Sequence, residues 1–83
     1  MKISLKLFAG LSKYLPPGAV RNEVPLDVSS TGSLNNLIDQ CQIPRGQVHL
    51  VLVNGLAKNA TERNSPILKE GDTVAMWPPV AGG

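Results

Sequence analysis

Cysteine and aromatic residues are scarce in this chain: its 83 residues include one Cys and one each of Phe, Trp and Tyr. A lone Cys41 excludes an internal disulfide and any multi-cysteine zinc site, so no metal is expected. The lack of disulfides suits a reducing, cytoplasmic setting. An aromatic content of 4% is too low for the stacking platforms that hold single-stranded nucleic acid. Basic runs are missing as well. Eight Lys and Arg are interleaved with six Asp and Glu for a formal charge of +2, so no phosphate-tracking patch forms and no nucleic-acid partner is expected. The longest apolar run, Leu50 to Val53, is far too short to cross a bilayer, and Lys2 opens an alternating stretch in place of a signal-peptide core. A soluble protein with no membrane partner is expected. Gly10, Gly18 and Gly32 lie outside any G-x-x-x-x-G-K-[ST] frame, so the chain has no phosphate cradle of its own. A chain of this length supports one small core and leaves little over for a deep private active site.

What is present is a regular succession of patterns. Ile3, Leu5 and Leu7 alternate with Lys2, Ser4 and Lys6, the period-two mark of a strand covered on one side. Phe8 then falls on the outward face, either as a ring half-covered by the next loop or as an exposed contact residue. Ala9 to Ala19 carries Gly10, Pro16, Pro17 and Gly18 and reads as a loop tied down by Leu11, Tyr14 and Leu15. Val24, Leu26 and Val28 share one face of a second strand near Arg21 to Val28, and Pro25, which has no N–H, places that strand at a sheet edge.

A turn over Ser29 to Gly32 leads to a helix capped by Ser33, with Asn36 at the third helical position. Leu34, Leu37, Ile38 and Cys41 fall at i, i+3, i+4 and i+7 and share one face, which makes Cys41 a small core hydrophobe. Pro44 ends the helix by biasing Ile43 away from helical geometry. Val48 to Val53 reads as a central strand covered on both faces. His49 within it has no companions at ligand spacing and reads as a structural or surface imidazole. Asn54-Gly55 predicts a type I′ turn into a short strand at Leu56 and Ala57. After a polar loop over Lys58 to Ser65, Thr73 to Trp77 forms the last strand with Val74 and Met76 on one face. The order predicts an α+β fold, a mixed sheet folded over one helix.

The chain then ends Pro78-Pro79-Val80-Ala81-Gly82-Gly83. Two prolines stop a ladder and favour extended geometry of about 3.1 Å per residue, so six residues reach roughly 19 Å. The two glycines remove side chains beside the final carboxylate, which suits a narrow channel. A carboxylate is a poor electrophile at neutral pH, and activating it requires an ATP-using partner.

The opening strand running into Phe8-Ala9 with Leu11, the Ser33-capped helix, LVLVNG at 50–55, Leu68-Lys69-Glu70-Gly71-Asp72-Thr73-Val74 and the ending MWPPVAGG together resemble the MoaD/ThiS family of ubiquitin-like sulfur carriers. The diproline ending is nearer to the MoaD branch, the small subunit of molybdopterin synthase. The resemblance implies a β-grasp domain over 1–77, with about five strands on one main helix, and an extended tail over 78–83. It also implies a carrier without catalysis or a bound cofactor of its own. An E1-like enzyme of the MoeB/ThiF type would use ATP to adenylate Gly83. A sulfur donor protein would convert the adenylate to a thiocarboxylate, and a MoaE-type large subunit would receive the tail and pass the sulfur to a pterin precursor. On this reading Gly83 carries the reacting sulfur and Gly82 is a slim spacer. Pro78, Pro79, Val80 and Ala81 form the guided tail, and Phe8, Trp77 and Leu56 form an apolar docking surface. Trp77 has a second reading, as a ring packing the base of the tail. Two features depart from the family: Ser12 stands where a basic residue is frequent, and the pI near 9.0 contrasts with many acidic members. The tail leaves open carriers for thiamine or tRNA thiolation, and modifiers joined to protein lysines.

Overall fold

The computed structural model describes residues 1–28 and 32–79, and within them the alternation seen in the sequence becomes a five-stranded sheet with one helix against one face. Strand β1 (Lys2–Leu7) turns Ile3, Leu5 and Leu7 into the core, each 2% exposed or less. It pairs antiparallel with β2 (Glu23–Asp27) and parallel with β5 (Thr73–Trp77). β3 (Leu50–Val53) pairs antiparallel with β5 and with the short β4 (Leu56–Ala57). The sheet order is β2-β1-β5-β3-β4, so β5 is the central strand. Pro25 lies, as expected, on an edge strand.

Helix α1 (Leu34–Gln40) buries Leu34, Leu37 and Ile38 against the sheet. At seven residues it is too short to persist alone, and its stability comes from that packing and from its ends. Ser33 caps it: its Oγ accepts from the Asn36 N–H at 3.1 Å, and Asn36 Oδ1 accepts from the Ser33 N–H at 3.4 Å. This is a capping box with Asn in the place usually held by Glu or Gln. The C-terminal end differs from expectation. Gln42 adopts φ +59°, its N–H donates to Asp39 O, and the Ile43 N–H donates to Ile38 O. That pair of bonds closes the helix before Pro44 acts, and buried Ile43 packs with buried Ile38 in the core. Cys41 is half-buried against the core, where burial pushes its thiol pKa up.

Three further differences bear on the site. The segment read as a loop after Phe8 begins with a 3-10 helix over Ala9–Tyr14 that buries Leu11 completely. Val20 to Glu23 closes as a two-residue hairpin with Arg21 at φ +53° and Asn22 at φ +67°. β3 is covered on one face only: Val51 and Val53 are buried, whereas Leu50 is 39% exposed and Leu52 half-buried. One helix covers one face, and the apolar character of β3 on the other face belongs to the surface. The type I′ turn forms as predicted, with Asn54 at φ +52° and Gly55 at φ +84°.

Candidate functional site

The parallel pairing of β1 and β5 creates the centre of the site. The register runs through Leu7 opposite Met76, and the Phe8 N–H continues the ladder by donating to Met76 O at 3.1 Å. Phe8 and Trp77 are therefore neighbours on the face opposite the helix. Their rings stack with centroids 4.6 Å apart and planes 9° from parallel. An aromatic pair of this kind contributes about 0.5–1.5 kcal/mol beyond its buried area. Each ring is half-buried against the other and half open to solvent, so Phe8 is covered by Trp77 in addition to the segment that follows it.

Sequence reasoning did not assign the other members of this surface. Leu50 lies opposite Trp77, Leu52 opposite Ala75, and Ala57 opposite Leu52, so all of them share the face of Trp77. The band runs from Phe8 across β5 and β3 to β4. Its signal was the unbroken LVLV run, which was attributed to burial on both sides. Across β1 and β2 the same face turns polar: Lys6 lies opposite Glu23, Lys2 lies opposite Asp27, and the Ser4 hydroxyl donates to Glu23. The open face is thus half apolar and half charged.

Leu56 does not join Phe8 and Trp77. It pairs with Val53, whose side chain lies on the helix side of the sheet, and it is 66% exposed on that same side at edge strand β4. A two-residue turn preserves the facing of the residues on either side of it, which sends Leu56 to the side of Val53.

The root of the tail is fixed by main-chain bonds. The His49 N–H donates to Trp77 O at 2.9 Å, the last ladder bond before Pro78 and Pro79, which have no N–H to offer. The chain leaves from the end of the central strand, directly beside the apolar band; Pro78 is half-buried and Pro79 exposed. Val80, Ala81, Gly82 and Gly83 lie outside the described residues. Arg63, in the segment read only as polar loop, donates to Val48 O at 3.2 Å and His49 O at 2.8 Å. It pins the lead-in to β3 next to the tail root.

Among the described residues there is no group of three His, Cys, Asp or Glu able to hold a metal ion, and no helix long and apolar enough to cross a membrane. The geometry offers a partly exposed apolar face and an exit for the chain beside it.

A profile of the ThiS family matches residues 6–83. The chain belongs to the ThiS family. A sequence search of curated proteins gives no significant match. Among solved structures, SAMP1 of Haloferax volcanii is 26% identical with a TM-score of 0.64, each chain covered over 100% of its length. The HVO 2177 protein of the same organism is 25% identical with a TM-score of 0.70, over 100% of this chain and 87% of that one. One chain of a protein–protein complex of subunit 1 and 2 of the molybdopterin-converting factor of Helicobacter pylori also matches, at 20% identity and a TM-score of 0.60, over 100% of this chain and 100% of that one. These neighbours share the ubiquitin-like β-grasp architecture of this ThiS-family chain, and its α+β assignment stands.

Proposed function

We propose that this ThiS-family protein is a sulfur carrier for molybdopterin-type cofactor synthesis, with Gly83 as the carboxylate that is activated and loaded. The observation that carries the reading is the tail root: Pro78-Pro79 follows the last ladder bond of the central strand and departs beside the Phe8–Trp77 face. A partner gripping that face receives the tail in a fixed direction. Family membership over residues 6–83 supports a small carrier in place of an independent catalyst.

The chemistry is assigned to partners. An E1-like enzyme of the MoeB/ThiF type joins the Gly83 carboxylate to AMP from ATP, releasing pyrophosphate. The terminal sulfur of a donor protein's persulfide displaces AMP, and a second thiol cleaves the resulting acyl disulfide, leaving a thiocarboxylate on Gly83 and a disulfide on the donor side. A MoaE-type large subunit binds the open face, takes Val80, Ala81, Gly82 and Gly83 into its site, and the sulfur passes to the pterin precursor. The structure of a molybdopterin-converting factor subunit pair supports this kind of partnership by analogy of fold.

A second reading is favoured by one observation. SAMP1, a small archaeal modifier protein, is 26% identical over the full length of both chains. On that reading Gly83 forms isopeptide bonds with protein lysines. Intact-mass spectrometry of the protein from its native cell separates the two. One oxygen-to-sulfur replacement at Gly83 supports the carrier, and a ladder of lysine conjugates supports the modifier. Active molybdoenzymes in cells lacking Gly82 and Gly83 would overturn the leading reading.

A further inference from the structure

The two edges of the sheet are treated differently, and the difference identifies a second surface. On β2 the outward main-chain groups belong to Glu23, Pro25 and Asp27, because Val24 and Leu26 face β1 in the ladder that the Val28 N–H to Met1 O bond continues. Each of the three has at least one of its main-chain groups unavailable to a new strand. Glu23 exchanges both main-chain bonds with Val20, Pro25 has no N–H, and Asp27 O accepts from Gln40 Nε2 at 2.9 Å. Such measures protect an edge from strand addition.

β4 is protected only by its two-residue length and its flanking lysines, and its outward main-chain groups have no partner among the described residues. The Asn54-Gly55 turn makes Val53 and Leu56 the first bonded pair of the hairpin, and the Lys58 N–H donates to Val51 O at 2.9 Å. Ala57 lies between those pairs, so its N–H and C=O point away from β3 to the open edge. On the helix side of this edge Val53, Leu56 and Ile67 floor a groove of about 180 Å³, with Lys58, Lys69 and Asp72 around it. The Asp72 carboxylate is turned to internal donors: Oδ1 accepts from Asn54 Nδ2 at 2.9 Å and Oδ2 from the Lys69 N–H at 2.8 Å. The Lys58 ammonium is 3.7 Å from Glu62, longer than a charge-assisted hydrogen bond. The Lys69 ammonium has no acidic partner at salt-bridge distance among the described residues. The groove therefore presents an apolar floor, the Lys69 ammonium without an acidic partner, and a Lys58 ammonium shared with Glu62.

We propose that the β4 edge docks an extended acidic segment of a partner protein by strand addition. One residue of the segment exchanges two main-chain bonds with Ala57. In an antiparallel approach, the residue after it sets an apolar side chain on Leu56, and the residue before it sets a carboxylate between Lys58 and Lys69. The recognised pattern is acid, any residue, apolar. Leu56 and the two lysines lie on the helix side of the sheet, while Ala57 lies at the far end of the Phe8–Trp77 band from the aromatic pair, so the inference is argued apart from the carrier reading.

The test is a titration of the ¹⁵N-labelled full chain with a capped synthetic peptide, Ser-Asp-Thr-Ile-Thr. Amide shifts centred on Leu56, Ala57 and Lys58 are expected, with a Kd of about 1 mM or tighter. Methylating the peptide nitrogen of the central Thr, replacing Asp by Lys, or introducing Leu56→Ser each weakens binding about tenfold, one lost contact's worth. Leu56 is exposed, so that variant stays folded, and its unchanged spectrum elsewhere checks this. Shifts centred on Phe8 and Trp77, no shifts at all, or equal binding of the lysine peptide would overturn the proposal.

Discussion

Phe8 and Trp77 stack at 4.6 Å because two parallel strands end in step, and the same step puts the base of the tail beside an apolar face. Trp77 stacks on Phe8, just past the end of β1, and lies opposite Leu50 in the β3–β5 register. It is also the only tryptophan, so its emission reports this face alone. Phe8→Ala removes the stack and part of its cover and is expected to cost about 1–2 kcal/mol of stability. Trp77 emission should move to longer wavelength as the ring becomes wetter. Leu50→Asp, at a position 39% exposed, is expected to change stability by no more than about 0.5 kcal/mol. On the proposed docking mode it nonetheless weakens binding to a large synthase subunit by at least about tenfold, because it buries an unpaired charge. Urea denaturation and isothermal titration calorimetry measure the two effects separately, and equal losses in both would argue against a docking role for Leu50.

Backbone conformation yields two changes of opposite sign. Gly55 sits at φ +84° in the type I′ turn, where an L-residue is strained, so Gly55→Ala is expected to destabilise by about 1–2 kcal/mol. Gln42 sits at φ +59° at the position after the helix cap that favours glycine, and Gln42→Gly is expected to stabilise by about 0.5–1 kcal/mol. Gln42 is exposed, and both of the capping bonds there are made by main-chain N–H groups that glycine keeps. Denaturation midpoints for the two variants should move in opposite directions.

Much of this was legible in the residues. Period-two alternation located β1, β2 and β5, Ser33 marked the helix start, and Asn54-Gly55 marked its turn, because each signal is local. The failures share a physical origin in context. Arg21 and Asn22 adopt left-handed conformations without the glycine that usually announces them. Gln42, lacking the same mark, left Pro44 as the visible helix stop. The LVLV run gives no means of telling a buried second face from an apolar surface until the single helix is seen to cover one side. Grouping Leu56 with Phe8 and Trp77 ignored the turn parity that carries it to the side of Val53. The chemistry proposed for the tail rests on its composition alone, while the stacked pair beside its root required knowing that β1 and β5 are parallel.

The Asp39–Arg45 pair sets a small acid-side effect. The Arg45 guanidinium donates to both carboxylate oxygens, at 3.0 and 2.7 Å, and holds the Asp39 pKa below its ordinary value. A carboxyl depressed in the folded state binds protons more tightly when unfolded. Its contribution is therefore present above the ordinary Asp value of about 3.9 and is lost as pH falls through the folded value. Both side chains are more than half exposed, so the effect is screened by salt. An NMR titration of the Asp39 carboxyl should show a depressed midpoint that Arg45→Ala returns toward the ordinary range. An unchanged midpoint in that variant would assign the depression to another cause.

The stiffness of the tail root can be separated from its composition. Replacing Pro78 and Pro79 by glycines restores main-chain donors and flexible torsions just past the last ladder bond, in a stretch that contributes little to the core. Folding stability is expected to stay within about 0.5 kcal/mol of the parent. If the prolines aim the tail from the Phe8–Trp77 face, the flexible variant keeps its affinity for face-binding partners apart from the tail's own share. Sulfur transfer from Gly83 should fall about tenfold or more, since reach without direction lowers the fraction of time the terminus is in the partner's site. Single-turnover sulfur transfer by the thiocarboxylated variant, measured beside partner affinity, decides this. A parallel loss of affinity and transfer would mean that the prolines act as contacts, and transfer at the parental rate would mean that the two glycines alone suffice.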